Sequence, residues 1–341
     1  MTNALSVSTA DSGSTLAPFS AERLSTVRAL ISPWIRRTPL ESSPALSERT
    51  GISVLLKLEC WQVTGSFKPR IAFAKLLALP PEVRQRGVVA STAGGHGIGL
   101  SYASARLDVP CYLCVPESID PEKLKRISAT GASVSMHSSV AAAAKEATAL
   151  AAERGWTRVP AYDDADVIAG DASVGLEIIE DAPAVDAFVV GMGGGGLASG
   201  LGVAARSRGR MTHVYGVQPT PVAVLNRWLR AGRATPELTR AEAKGISIAD
   251  GLGAPVLPEA MTFSILRELD VQPLNVEDAE LVAAMKLLLD DHQLLVEPSG
   301  AAAVAGLVRH ADVLRTRGVR TAALVLTGRN ISAERRRALG I

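Results

Sequence analysis

The stretch Phe188-Val189-Val190-Gly191-Met192-Gly193-Gly194-Gly195-Gly196-Leu197 narrows the folds open to this chain more than any other. The continuous apolar run Val185–Val190 reads as a strand buried on both faces, and it passes through four consecutive glycines into the helix-like Ala198–Arg206. Glycines there let the backbone approach an anion closely, and the N–H groups at the helix start point at it. The string Gly191-x-Gly193-x-x-Gly196 also satisfies the dinucleotide pattern. That pattern needs an Asp or Glu about 20 residues further on to hold the ribose. Between Asp186 and Glu237 the chain has no acidic residue, and the end of the following strand carries Gln218. A single phosphate is therefore the better ligand.

The rest of the chain alternates in the same way. Ala21 to Ile35 has helical spacing, Val54–Leu58 is a short apolar strand, and Phe67–Leu79 reads as a helix stopped by Pro80-Pro81. Strand-like runs follow at Gly87–Ser91, Val109–Val115 and Ala132–Met136, and then the alanine-rich helix Val140–Arg154, closed by Gly155. Later strands are expected at Val214–Gln218, Val271–Leu274 and Thr321–Leu326. Asn275 is expected to cap a helix whose apolar face is Leu281, Val282, Met285, Leu288 and Leu289, and Ser299–Val308 reads as a small-residue helix. The class is α/β, with parallel-rich sheets covered by helices and two lobes with a site in the cleft between them. The expected division is a disordered tail over residues 1–17, a large domain of 18–84 and 165–341, and a small mobile domain of 85–164. With the chain ending at Ile341, no regulatory domain of its own is expected.

Charge and cysteine usage exclude several classes. A formal net charge of +2, with basic and acidic residues interspersed, is no footprint for nucleic acid or an anionic membrane. No run of 18 apolar residues exists, so no membrane span is expected, and the Ser/Thr/Ala-rich start lacks the basic and apolar parts of a secretory signal. Three cysteines, Cys60, Cys111 and Cys114, argue for a reducing, cytoplasmic setting. Cys111 and Cys114 fall inside a strand pattern with no second pair to complete a zinc site, and read as buried thiols.

Against this background Lys68 stands out. It lies in Thr64-Gly65-Ser66-Phe67-Lys68-Pro69-Arg70, just after a strand and at the start of a helix. This stretch resembles the cofactor-lysine motif of the fold-type II pyridoxal-phosphate enzymes, in particular the serine/threonine dehydratases and their serine racemase relatives. The resemblance runs from about Arg37 to Asn330. It implies that Lys68 is the Schiff-base lysine and the α-proton base. It implies that Phe67 packs against the ring of pyridoxal 5'-phosphate and that Gly193, Gly194, Gly195, Gly196 and Leu197 form the phosphate cup. Ser91-Thr92-Ala93-Gly94-Gly95-His96-Gly97 is similar to the loop that grips the substrate carboxylate. Thr327, in Leu326-Thr327-Gly328-Arg329-Asn330, would meet the pyridine nitrogen. Ser247–Gly251 and Val296–Ala301 resemble two further signatures, which would bring Glu297 beside the ring unless it caps the helix after it. A homodimer or larger homo-oligomer follows from the same resemblance.

The chain also departs from the family. Gly95 stands where an Asn usually bonds the ring's phenolic oxygen, and Ala93 where the racemases carry a serine base, so racemisation by that route is disfavoured. Gln218 and Val224 replace the acidic ligands of the racemases' divalent cation, so no such metal is expected. Ile71 and Arg329 each replace a usual Gly. His96 reads as a structural hydrogen-bonder, and Arg335, Arg336 and Arg337 as a solvated helix face.

The implied chemistry follows from the hydroxyl of Thr327. It does not force a proton onto the pyridine nitrogen as a carboxylate would, and the resulting weaker electron sink favours expulsion of a β-substituent. Loss of a β-hydroxyl gives an enamine, which hydrolyses to a 2-oxo acid and ammonia. The expectation is an ammonia-lyase for a small β-hydroxy amino acid of the L-threonine or L-serine type. Its rivals are β-replacement or an unusual β-substituted substrate on the same scaffold, and a non-catalytic phosphate-binding module.

Overall fold

The computed structural model describes residues 14–235 and 247–341. In chain order its strands are β1 (Leu40–Ser42), β2 (Ser53–Lys57), β3 (Val88–Ser91), β4 (Cys111–Pro116), β5 (Ser133–His137), β6 (Thr157–Arg158), β7 (Ala187–Gly191), β8 (His213–Pro219), β9 (Gln272–Val276) and β10 (Thr321–Val325). The helices of the first half are α1 (Ala21–Ile31), α2 (Pro44–Thr50), α3 (Lys68–Ala78), α4 (Pro81–Arg86), α5 (Gly95–Arg106), α6 (Pro121–Ser128) and α7 (Val140–Arg154). Those of the second are α8 (Ala165–Asp181), α9 (Gly196–Ser207), α10 (Val224–Ala231), α11 (Met261–Glu268), α12 (Asp278–His292), α13 (Pro298–Thr316) and α14 (Ala333–Ala338). None of the described helices is long and apolar enough to cross a membrane.

Two sheets result. One has the order β1-β2-β10-β7-β8-β9 and the other β5-β4-β3-β6. Every pairing is parallel except β1 with β2 at an edge. The apolar run through β7 is explained by its place: Phe188 and Val190 enter the core on one face of the larger sheet, Ala187 and Val189 the core on the other. Full burial of such a side chain stabilises by roughly 1.5–3 kcal/mol, so a central strand with no polar face is the stable solution. A third core, built on Phe73, Leu76, Leu100 and Leu113, fills the space between α3, α5 and the smaller sheet.

Several expectations change. No element was expected between Trp156 and Val185, yet α8 is the longest buried helix there, with Val167 through Ile179 all buried. Burial on all sides removes the polar stripe that marks an amphipathic helix. Asn275 is not a helix cap: β9 runs on through Val276, and its side chain takes a bond from Asn226 Nδ2 at 2.8 Å. Glu277 caps α12 instead, in a capping box with Glu280. The first helix ends at Ile31, where Ser32-Pro33-Trp34 tightens into a 3-10 turn. The small-residue helix continues past Val308 to Thr316. Of the expected tail, residues 1–13 lie outside the described set, while Ser14 and Thr15 are held by the Glu268 carboxylate. Cys114 is buried as expected, but Cys111 is only half-buried near the strand's start.

Candidate active site

The carboxyl ends of the parallel strands converge on Lys68, as ligand sites in open α/β sheets do. The chain leaving β2 is stitched to the chain leaving β10: Ser66 bridges Gly328, and Phe67 N donates to Thr327 O at 3.2 Å. Lys68 is then the first residue of α3, and Pro69 costs nothing there because the first-turn N–H groups have no helical partner. The Lys68 amine is half-buried, lies 4.5 Å from the centre of the Phe67 ring and donates to Ala161 O at 3.2 Å. Burial pushes its pKa down, opposed by the charges of Asp171 and Glu297.

A fully buried ionic network holds α3 from below. Arg70 donates to Glu59 through Nε at 2.9 Å and Nη2 at 2.8 Å, and to Glu177 through Nη1 at 2.8 Å and Nη2 at 2.9 Å. Lys57 Nζ reaches Glu177 at 2.6 Å and Thr38 O at 2.7 Å. Arg70 is two residues from Lys68, so this fork fixes the helix end that carries the amine.

The four glycines stand where β7 turns into α9. Gly195 has φ +91°, a left-handed conformation costly for any side chain. The Tyr162 ring lies so close over Gly194 that a Cβ there would overlap it, and a Cβ on Gly193 would come within 2.8 Å of Gly251 O. The glycines thus admit both a close neighbour and an anion at the N–H groups that open α9. Gln218, at the end of β8, accepts from Asn226 N at 2.8 Å and donates to Gly193 O at 3.4 Å, propping the loop. Among the described residues no group of three or more His, Cys, Asp or Glu is placed to hold a metal ion.

The loop after β3 faces Lys68 from the smaller sheet. Thr92 Oγ1 accepts from Gly94 N at 3.1 Å and Gly97 N at 3.2 Å, closing the first turn of α5. A Cβ on Gly95 would meet only Lys68 Cγ, at 4.0 Å, so this position has room for a side chain. His96 lies in helix α5 rather than a loop, buried, with its Nε2 3.0 Å from Val159 O. Burial, and then the Lys68 charge, push its pKa down to about 4. Lys123 of α6 lies against Gly94 and pairs with Asp250 at 2.7 Å, which Arg335 also reaches at 3.0 Å. Arg335 is therefore a site-rim partner and not part of a solvated face. Burial works against the Asp250 charge, but these two cations hold its pKa below the usual range.

Glu297 occupies the N-cap position of α13 but makes no capping bond; its carboxyl packs against Gly328, and burial raises its pKa to about 7. Thr327 Oγ1 is buried, with a long bond of 3.3 Å to Ser299 O. Around these groups several buried polar atoms have no partner among the described residues: Ser66 Oγ, His96 Nδ1, Ser199 Oγ, Thr262 Oγ1 and both oxygens of Asp171. Buried polar groups are normally paired, so this concentration marks surfaces that a ligand completes.

Apart from Glu297, at the start of α13, the residues named from the sequence fall at the ends of β2, β3, β7 and β10 or at the helix starts that follow them. Sequence reasoning did not find Tyr162, Lys123, Asp171 or the Arg70 network. Only the charged residues inside the buried α8, Asp171 and Glu177, offered a signal, since a carboxylate in an apolar helix needs a reason.

Comparison with known proteins agrees with this geometry. A family model described as pyridoxal-phosphate dependent enzyme matches residues 31–328. The L-threonine ammonia-lyase of Thermotoga maritima is 36% identical over 87% of this chain and 72% of its own length. The L-threo-3-hydroxyaspartate ammonia-lyase of a Pseudomonas species is 33% identical over 89% of this chain and 92% of its own. The crystal structure of a threonine deaminase from T.th. superposes with a TM-score of 0.83 at 36% identity, covering 92% of this chain and 99% of that one. The chain belongs to the pyridoxal-phosphate-dependent enzyme family, with the α/β architecture of its fold-type II members.

Proposed function

We propose that this member of the family is an ammonia-lyase that removes the α-proton and β-hydroxyl of a small β-hydroxy amino acid, releasing a 2-oxo acid and ammonia. The observation that carries the reading is the Lys68 amine: half-buried, with its pKa lowered by burial, at the first residue of α3. Burial thus favours the free, nucleophilic form of the amine over the ammonium. The names of the relatives, which pair the same family with threonine and hydroxyaspartate, support the substrate class.

When bound, pyridoxal 5'-phosphate supplies an aldehyde that a lysine can hold covalently and a ring that accepts electrons from the substrate Cα. The residues present fit it. The glycines put no side chains of their own in front of the turn's N–H groups, with the Tyr162 ring lying over Gly194, and the unpartnered hydroxyls and His96 Nδ1 await hydrogen bonds. Lys68 would hold the aldehyde carbon, Gly193 to Gly196 with Leu197 the phosphate, and Phe67 one side of the ring. Thr327 offers the pyridine nitrogen a neutral hydroxyl, and buried Glu297, its pKa raised to about 7, is only partly ionised near neutral pH.

The substrate's carboxylate is assigned to the Ser91, Thr92, Ala93, Gly94, Gly95 and His96 loop, where the start of α5 supplies N–H donors. The Lys68 amine would accept the α-proton as general base. His96, neutral at pH 7, positions and does not donate a proton. Tyr162 lies over the glycine turn and keeps water from it. Residues 85–164, which include the smaller sheet, act as a mobile small domain over residues 18–84 and 165–341. Closing it brings Lys123 to Asp250. The reading extends to a cytoplasmic homodimer or larger homo-oligomer acting on L-threonine or L-serine, supported by three unpaired thiols and the family resemblance.

The test is direct. Purified protein with added cofactor should show an absorbance band near ~410–420 nm, lost on borohydride treatment and absent in Lys68→Ala. L-threonine or L-serine should yield ammonia and a 2-oxo acid. A protein that gains no band, or one that forms a new amino acid from added sulfide and no oxo acid, overturns the reading.

A further inference from the structure

Residues 159–164 lead from β6 to α8 and cross the site on the way. Nearly every one of them is tied to a different part of it. Val159 N donates to Val89 O at 2.9 Å, and Val159 O lies 3.0 Å from His96 Nε2. Ala161 O accepts from the Lys68 amine at 3.2 Å. Asp163 Oδ1 accepts from Thr262 N at 3.3 Å, and Asp164 caps α8 by accepting from Asp166 N at 2.8 Å.

Tyr162, in the middle of this segment, has had no part so far beyond keeping water out. Its ring lies over Gly194, and its Cβ lies 2.9 Å from where a side chain on Gly196 would begin. It thus forms one wall of the glycine turn. A second wall is the chain after Asp250. Gly251 O lies 2.8 Å from where a side chain on Gly193 would begin, and Ala254 Cβ lies 3.8 Å from the same point. The Tyr162 hydroxyl donates to Pro255 O, one residue beyond Ala254, and so joins the two walls. Burial, and then the Asp163 charge, push the phenol pKa up to about 12, so the hydroxyl keeps the proton that it donates.

We propose that the Tyr162 hydroxyl is a clasp on the glycine turn: bonded to Pro255 O it holds the two walls together, and the cofactor's phosphate enters and leaves only while that bond is open. Tyr162 is then a positioning residue, acting through the walls and not by touching the phosphate. The proposal rests on the glycine turn being the seat of that phosphate. A clasp that shuts the empty and the loaded turn alike slows entry and exit by the same factor and leaves the affinity unchanged. A hydroxyl that bonded the phosphate itself would instead slow exit alone.

The experiment separates rates from affinity. The probe is pyridoxine 5'-phosphate, which has the cofactor's ring and phosphate but an alcohol in place of the aldehyde, so Lys68 cannot bond to it covalently. Its entry into the full chain freed of cofactor, and its displacement by excess pyridoxal 5'-phosphate, are followed by stopped-flow fluorescence. Tyr162→Phe keeps the ring over Gly194 and should raise both rates about 3–10-fold, the factor for one hydrogen bond, with Kd within about twofold. Asp163→Ala, which frees the neighbouring tie to Thr262 N, should move both rates the same way, and it decides the matter should Tyr162→Phe not fold. Unmoved rates in Tyr162→Phe overturn the proposal. Faster exit with unchanged entry and a weaker Kd also overturns it, because that pattern marks a direct contact. A wild type that holds pyridoxine as tightly as its phosphate rejects the phosphate seat, and the clasp with it. A kept preference for the phosphate with unmoved rates rejects the clasp alone. The probe undergoes no turnover, so ammonia release tests the lyase reading separately.

Discussion

Two groups of buried polar residues share helices α3 and α8, and they are opposite in kind. Below, Arg70, Glu59, Lys57 and Glu177 are fully buried and every charge is paired. Above, around Lys68, the carboxyl of Asp171, the Ser66 hydroxyl and His96 Nδ1 are buried with nothing to bond among the described residues. Glu177 and Asp171 lie only six positions apart on one helix. An ion pair of this kind adds little net stability over an apolar packing of equal volume, yet losing one partner is costly. The lower group therefore fixes geometry, holding the first turn of α3 in one place. The upper group stores unmet bonding capacity for a ligand, at the expense of the empty protein's stability.

The sharpest way to break this contrast is Arg70→Met. It strands Glu59 and Glu177 in the core and should destabilise the protein by about 3–5 kcal/mol in urea unfolding. A loss below about 1 kcal/mol would mean that the lower group is no network at all.

Asp171→Asn tests the upper group in the opposite direction. Burial raises the Asp171 pKa in the folded state, opposed by Lys68. A raised folded value means that its contribution is full below the unfolded pKa and lost as pH rises through the folded one. The substitution should thus raise the melting temperature of cofactor-free protein by about 2–5 °C at pH 9 and by less at pH 5. A lower melting temperature at pH 9 would show the carboxylate to be a stabilising structural group.

The smallest effect is expected at Gly95→Asn, where a Cβ has open space. Stability should change by less than about 0.5 kcal/mol, and cofactor affinity should rise about fivefold for one added hydrogen bond. Changed substrate preference at equal affinity would instead identify the space as a pocket for a larger side chain.

Much of the scaffold was legible because its determinants are local. Strand β7, the glycine turn and the Lys68-Pro69 helix start each depend on residues a few positions apart, and so does the αL close of α7 at Gly155. Errors came where tertiary contact outweighs local preference. Asn275 has cap chemistry, but pairing of β9 with β8 carried the strand past it. Arg335 looked solvated in a run of three arginines until Asp250, 85 residues away in sequence, claimed it. Helix α8 had no polar stripe because α1, α3 and α9 all pack on it.

The sequence by itself determined the α/β class, the lysine and the glycine turn, through apolar period and the conformations that Gly and Pro allow. It did not determine which buried charges are paired. Lys57 meets Glu177 across 120 residues and Arg70 meets the same carboxylate across 107, while Asp171, on the same helix, meets no partner among the described residues. Pairing depends on distance and burial in three dimensions, where Coulomb attraction and desolvation nearly cancel and a few ångströms decide the sign. Only the tertiary structure supplies those distances.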